Sequence, residues 1–81
     1  MEVSIELFGI FRDIANTGKI SMPVNGKTSV GDALKYVRRK YPELPLDGDS
    51  FFISLNHEMV FPDKFLQPND VICFIPHIGG G

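Results

Sequence analysis

A segment near the start of the chain alternates between apolar and polar side chains. In EVSIELFG (2–9), Val3, Ile5 and Leu7 fall on one side of an extended chain and mostly polar residues fall on the other. A period of two is typical of a strand with one buried face. Phe8 breaks the pattern, because it places an aromatic ring on the otherwise polar side. We predict the first strand here.

Four more segments have the character of strands. They are KISMP (19–23), FFISL (51–55), the short MVF (59–61) and VICFI (71–75). The last of these is apolar throughout, which is typical of a central strand that is covered on both sides. Residues 10–18 and 62–70 carry turn-forming residues, and we predict that both are connections.

One segment has the periodicity of a helix. Apolar residues recur at spacings of three and four at Val30, Ala33, Leu34, Val37 and Tyr41. Ser29 and Asp32 have the spacing of a capping box, although the usual partner of serine is Glu or Gln. Pro42 ends the pattern, because the residue before a proline avoids helical geometry. We predict a helix over about 30–41.

The order of these elements predicts the fold. One helix must bury its apolar stripe on the apolar face of a mixed sheet. If the first and last strands are parallel neighbours at the centre, the result is a ubiquitin-like β-grasp of the α+β class. We expect a four- to five-stranded mixed sheet on one main helix. We further expect a β-grasp domain over 1–75 and a flexible C-terminal glycine tail over 76–81.

Composition and charge exclude several classes of function. The net charge of −2 argues against nucleic-acid binding, which needs a clustered basic face, and we interpret the short basic run Arg38-Arg39-Lys40 as a solvated helix face. The single cysteine, Cys73, excludes an internal disulfide and fits a reducing compartment. Glu2 and Glu6 stand where a signal peptide carries positive charge, and no apolar run reaches the ~20 residues of a membrane span. We expect a cytoplasmic protein that binds neither nucleic acid nor membrane.

The segment PHIGGG (76–81) suggests a chemical role for the end of the chain. Pro76 cannot donate to a ladder, so we expect the sheet to end before it. Six extended residues reach at most ~20 Å, and glycines can pass through a narrow channel where a Cβ would clash. Activation, for instance by adenylation, would make the terminal carboxylate an electrophile. The alternative is an ordinary disordered terminus without a function.

Four segments together resemble the MoaD/ThiS family of sulfur carriers. They are IELFGIFRDIA (5–15), TSVGDAL (28–34), ISLNHEMV (53–60) and LQPNDVICFIPHIGGG (66–81). The similarity covers nearly the whole chain, and within the family it is greatest to the small subunit of molybdopterin synthase. Asn69 stands where the family usually has Gly, His77 where Pro is common, and Gly79 where Ser, Thr or Ala is common. These differences leave the identity of the cognate partner open.

The resemblance implies a carrier without catalysis of its own. In the family, an E1-like adenylating enzyme uses ATP to activate the C-terminal carboxylate, and a sulfur donor converts it to a thiocarboxylate. The tail then enters the large subunit of molybdopterin synthase and donates sulfur to a cyclic pyranopterin monophosphate, which serves molybdenum cofactor biosynthesis. The family pattern therefore implies that Gly81 and Gly80 react, and that Gly79, Ile78, His77 and Pro76 insert. We expect no bound cofactor.

Three residues match family positions that dock the large subunit, namely Phe8, Met59 and Ile75. The alternative is that they are scattered surface or core residues. Cys73 should share the face of Ile75 by alternation, and we interpret it as a small apolar residue. His57 and His77 are too few for a metal site, so we predict none.

Three other functions remain open. The chain could carry sulfur for thiamine or for tRNA thiolation, although thiamine carriers tend to be shorter. It could be a ubiquitin-like protein modifier that is conjugated through Gly81. It could also be a plain β-grasp interaction module with an incidental tail. The first two share the activated terminus and differ in what accepts the sulfur or the acyl group.

Overall fold

A computed structural model describes residues 1–48 and 50–77. The elements within them are β1 (Glu2–Leu7), α1 (Ile10–Ala15), β2 (Lys19–Pro23), α2 (Val30–Lys40), β3 (Phe51–Leu55), β4 (Glu58–Met59) and β5 (Val71–Pro76). The strands form one sheet in the order β2-β1-β5-β3-β4. β5 runs parallel to β1 and antiparallel to β3. The predicted ubiquitin-like β-grasp is confirmed.

The central position of β5 explains why its sequence is apolar throughout. Ile72 and Phe74 point into the core and are fully buried. Cys73 points to the opposite face, where it is only 5% exposed. Because β5 lies between β1 and β3, side chains of these neighbours shield it on both faces, as the continuous apolar run predicted.

The main helix packs through the predicted stripe. Val30, Ala33 and Val37 are completely buried, and Leu34 and Tyr41 pack against the core while partly exposed. The helix ends at Lys40, one residue earlier than predicted. Tyr41 is its C-cap, and its backbone N–H donates to the carbonyl of Val37 at 2.8 Å.

The capping box at the start of α2 is complete. The N–H of Asp32 donates to Ser29 Oγ at 3.1 Å, and the N–H of Ser29 donates to Asp32 Oδ2 at 2.9 Å. The hydrogen bond from the Ser29 backbone holds the pKa of the Asp32 carboxyl below its ordinary value. Aspartate therefore fulfils the role that glutamate usually has in this motif.

Residues 10–18 contain a helix, so the prediction of a plain connection was wrong. Phe11 is 1% exposed and anchors the six-residue helix α1 to the core. Gly9, at φ 56°, lets the chain turn out of β1, and Asn16, at φ 59°, ends the helix in the left-handed region. The sequence signal for this helix was a single buried aromatic residue, and one residue cannot show a helical periodicity.

The strand boundaries differ from the predicted ones by one to two residues. β1 ends at Leu7, and β4 spans Glu58–Met59 where the sequence predicted 59–61. β5 continues through Pro76, which pairs with Phe51 as the last residue of the strand, so the prediction that the sheet ends before Pro76 was wrong. The missing N–H of a proline is tolerated at such a position. No helix within the described ranges is long and apolar enough to cross a membrane.

Candidate functional site

An apolar row crosses the face of the sheet that points away from α2. Phe52 lies directly opposite Ile75 in the pairing of β3 with β5. The N–H of Phe8 donates to the carbonyl of Phe74 at 3.2 Å, which places Phe8 beside Ile75 on the other side. Phe8 and Phe52 are 43% and 40% exposed, and Ile75 is half-buried between them. Phe8, Ile75 and Phe52 together are named the apolar row.

Met59 lies on the same face but not in the apolar row. The neighbouring row runs from Glu6 through Cys73 and Ser54 to Met59. Met59 is 66% exposed at the β4 edge of the sheet and lines a groove of about 790 Å³. The structure thus places Phe8 and Ile75, two of the three predicted interface residues, side by side. It places the third, Met59, on the same face at the β4 edge of the sheet.

Phe52 was missed as a member of this surface. Adjacent residues of a strand point to opposite faces, so the pair Phe51-Phe52 must present one ring to each side. Phe51 packs against the core beside Phe11 and Phe74, at ring-centroid distances of 6.1 and 6.0 Å. The doubled phenylalanine in the sequence was the signal that Phe52 faces outward.

The thiol of Cys73 lies beneath this face and is poorly reactive. Burial raises the pKa of the Cys73 thiol, and a hydrogen bond with Ser54 offsets part of the effect. A thiolate is the reactive form of cysteine, so burial and the raised pKa both predict that this thiol reacts slowly. The interpretation of Cys73 as a small apolar residue agrees with this environment.

The residues that precede the glycines leave the sheet at the same end as the apolar row. Pro76 packs against Gly9, where an added Cβ would lie 3.1 Å from Pro76 Cγ. The N–H of His77 donates to the carbonyl of Ser50 at 3.1 Å, and its ring centroid lies 4.1 Å from that of Phe52. The other predicted site residues, Ile78, Gly79, Gly80 and Gly81, lie outside the described residues.

The described residues offer no cluster that could hold a metal ion. No group of three or more His, Cys, Asp or Glu side chains meets within 1–48 and 50–77. The candidate site that the contacts above describe is a surface: an apolar row next to the point where the chain leaves the central strand.

Comparison with known proteins agrees with this architecture. The model of the ThiS family matches residues 5–81. The fold is similar to that of SAMP1 from Haloferax volcanii, with a TM-score of 0.89 and 22% identity over 100% of both chains. It is also similar to the putative molybdopterin converting factor subunit 1 from Pyrococcus furiosus, with a TM-score of 0.86 and 19% identity over 96% of this chain and 99% of that one.

A third match is to a complex. The fold resembles a chain in the complex of subunits 1 and 2 of molybdopterin-converting factor from Helicobacter pylori, with a TM-score of 0.70 and 21% identity over 100% of both chains. At these identities the solved structures show a shared fold, the ubiquitin-like β-grasp.

Proposed function

Because this chain belongs to the ThiS family, we propose that it is a sulfur carrier that acts as the small subunit of molybdopterin synthase. Gly81 would bear the sulfur as a C-terminal thiocarboxylate, and the reaction would take place in the cytoplasm. The observation that carries the proposal is the position of β5. The central strand runs past the apolar row and leads directly to the glycines.

The proposed chemistry places the reacting groups at the end of the chain. The carboxylate of Gly81 would attack the α-phosphorus of ATP in a partner adenylating enzyme, and pyrophosphate would leave. The terminal sulfur of a donor-protein persulfide would then displace AMP from the carbonyl carbon. A second thiol would attack the donor sulfur of the resulting acyl disulfide, which releases the thiocarboxylate and leaves a disulfide on the donor. The described domain would supply recognition, while Gly80 and Gly79 would pass through a channel that is too narrow for side chains.

The apolar row is the proposed docking surface for the large subunit. Interface centres are enriched in aromatic residues, and truncation of a few central residues accounts for most of the lost affinity. Phe8 and Phe52 are both exposed on one face and flank Ile75. The fold match to a chain of a two-subunit molybdopterin-converting factor supports a partner of this kind.

The experiment is the intact mass of the protein purified from its native host. The large-subunit gene should be deleted, so that the charged form accumulates. We expect a gain equal to the exchange of one oxygen for sulfur, located at Gly81 by fragmentation. A plain carboxylate, in cells whose adenylating enzyme is active, would contradict the proposal.

Other acceptors share the same charged terminus, so a second assay separates them. The thiocarboxylate form should be incubated with a molybdopterin synthase large subunit and cyclic pyranopterin monophosphate. We expect sulfur to be incorporated into the pterin. Transfer to a thiazole precursor or to tRNA, with none to the pterin, would assign the chain to thiamine synthesis or tRNA thiolation instead.

The fold match to SAMP1 favours one further candidate, a protein modifier joined through Gly81 to lysine side chains. Trypsin digestion of proteins captured with the tagged chain would reveal isopeptide-linked remnants on lysines. A carrier that serves only sulfur transfer leaves no such bonds. Remnants that disappear with Gly81→Ala would establish the modifier role.

A further inference from the structure

His77 extends the pairing between β3 and β5 beyond the end of the strand. The register runs from Leu55 opposite Ile72 to Phe51 opposite Pro76. The hydrogen bond from the His77 N–H to the Ser50 carbonyl, at 3.1 Å, adds one more step to this ladder. The chain is therefore still hydrogen-bonded to the residue before β3 at one position past Pro76.

The ring of His77 adds a second contact on the face of the apolar row. Its centroid lies 4.1 Å from that of Phe52, with the ring planes inclined by 52°. The two rings are therefore close enough for direct contact. Because the contact and the hydrogen bond lie on one residue, they fix both the position and the orientation of His77.

The acceptor of this hydrogen bond is itself fixed. Ser50 Oγ donates to the carbonyl of Asp47 at 2.7 Å, and the N–H of Ser50 donates to the same carbonyl at 3.0 Å. Nearby in the same loop, the guanidinium of Arg38 on α2 donates through Nε to the carbonyl of Leu46 at 3.1 Å. The loop that accepts the hydrogen bond from His77 is therefore itself bonded to the main helix.

We propose that Ser50, Phe52 and His77 form a tail anchor that fixes where the chain leaves the sheet. The inference rests on the proposed sulfur-carrier function, for which it names positioning residues. With the anchor formed, four residues (78–81) lie beyond the fixed point, and they span at most ~14 Å when extended. Six residues counted from Pro76 would span ~20 Å. The anchor therefore sets the depth at which a partner must place its reactive centre.

The identity of residue 77 is essential to the anchor. A proline at this position lacks the N–H that donates to Ser50 and the ring that packs on Phe52. An alanine keeps the N–H and lacks the ring. His77→Ala therefore removes the ring contact alone, and His77→Pro removes both the ring contact and the hydrogen bond. Phe61→Ala is the matched control, because Phe61 is an 81% exposed aromatic residue beside β4.

The first test is NMR on the free, full-length protein. We expect the amide of His77 to exchange about three- to tenfold more slowly than in an unstructured peptide, the equivalent of one net hydrogen bond. We also expect ring-current shifts of the His77 ring protons, which Phe52→Leu removes and Phe61→Ala leaves unchanged. An unprotected amide with unshifted ring protons would overturn the anchor.

The second test measures the reaction. Pyrophosphate release with ATP and the adenylating enzyme of the same organism gives kcat and KM for each variant. We expect His77→Ala to lower kcat about three- to tenfold, because one or two more residues must be ordered at each turnover. KM should stay within about twofold, since the folded domain outside position 77 is unchanged and a twofold change is a small free energy.

The outcomes separate the two proposals. If kcat and KM stay unchanged in both His77 variants, although NMR shows residue 77 detached from Ser50 and Phe52, the anchor does not position the terminus and the inference is overturned. A wild-type protein that no adenylating enzyme activates would overturn the sulfur-carrier function. In that case the tail anchor could not position a reactive terminus, and that part of the inference would be overturned too. The NMR result would still decide whether the anchor exists.

Discussion

Asn56 hydrogen-bonds the β3–β4 turn to the start of β5. Its Nδ2 donates to Asp70 Oδ1 at 3.0 Å, and its Oδ1 accepts the N–H of Val71 at 2.9 Å. Its backbone N–H donates to the carbonyl of Val71 at 2.8 Å. Asn56 and His57 have φ of 51° and 74°, the pattern of a two-residue hairpin turn that tolerates asparagine. Asn56 thus adopts the positive φ that the turn requires, and its side chain also supplies the hydrogen bonds that join the turn to β5.

The backbone role and the hydrogen-bonding role of Asn56 can be separated by mutation. Asn56→Gly suits the positive φ but loses both side-chain hydrogen bonds, so we expect the free energy of unfolding to fall by about 1–3 kcal/mol. Asn69→Gly is the matched control, because Asn69 has φ 72° and its side chain makes no hydrogen bond within the described ranges. Urea denaturation should show a change within about 0.5 kcal/mol for the control. Equal losses would contradict the role of the Asn56 side chain.

The environment of Cys73 predicts slow thiol chemistry. The thiol is 5% exposed and burial raises its pKa, so both access and thiolate population are low. We expect a disulfide reagent at pH 8 to label the native protein much more slowly than the same protein in urea. Rapid labelling of the native protein would contradict the packing of the sheet face above Cys73.

At the scale of elements, the start of α2 predicts a dependence of stability on pH. The pKa of Asp32 is lowered in the folded protein, so its stabilising contribution is present above the ordinary aspartate pKa of about 3.9. That contribution is lost as the pH falls through the folded pKa. Asp32→Asn should therefore flatten the fall in melting temperature on acidification, and an unchanged slope would contradict the capping role.

The partner of Asp32 tests the same cap at neutral pH. Ser29→Ala removes the oxygen that accepts the N–H of Asp32, and N-cap serines contribute about 0.5–2 kcal/mol. We expect a loss of that size by urea denaturation at pH 7. Thr17→Ala is the control, because within the described part of the chain the Thr17 hydroxyl bonds only to the backbone of Lys19, two residues away in the turn before β2. A loss that the control matches would contradict the cap.

The sequence could predict the elements whose pattern is local and repeated. Alternation in β1 and the five-residue stripe of α2 each report one buried face, and the structure confirms both. α1 is too short for a periodicity, since burial of Phe11 holds it in place. β4 has only two residues, and its pairing with β3 decides where it begins.

The candidate site was predictable in part for the same reason. Alternation and the family resemblance together placed Phe8 and Ile75 on one face. The contacts of His77 with Ser50 and Phe52 join residues that are far apart in the chain, and they depend on the register between β3 and β5. No local pattern encodes that register, so it could not be predicted from the sequence.

At the scale of the whole molecule, the two faces of the sheet have separate roles. One face is covered by α2 and holds the core, and the other presents the apolar row. Phe8→Glu should therefore weaken binding to a large subunit at least about tenfold without lowering the melting temperature. Phe61→Glu is the control on an exposed aromatic residue outside the row. If Phe8→Glu binds like the control by calorimetry, the assignment of the face is wrong.

The parallel pairing of β1 with β5 also bears on how the protein is made. β1 pairs with the nearby β2, but its other neighbour is β5, which lies about 70 positions later in the chain and is the last strand to emerge from the ribosome. A nascent chain cut short before β5 lacks the middle of the sheet and has no stable core, which exposes it to proteases. We therefore expect truncated chains of this kind to be degraded, so that the folded domains in a cell are those synthesised through the strand that precedes the glycines.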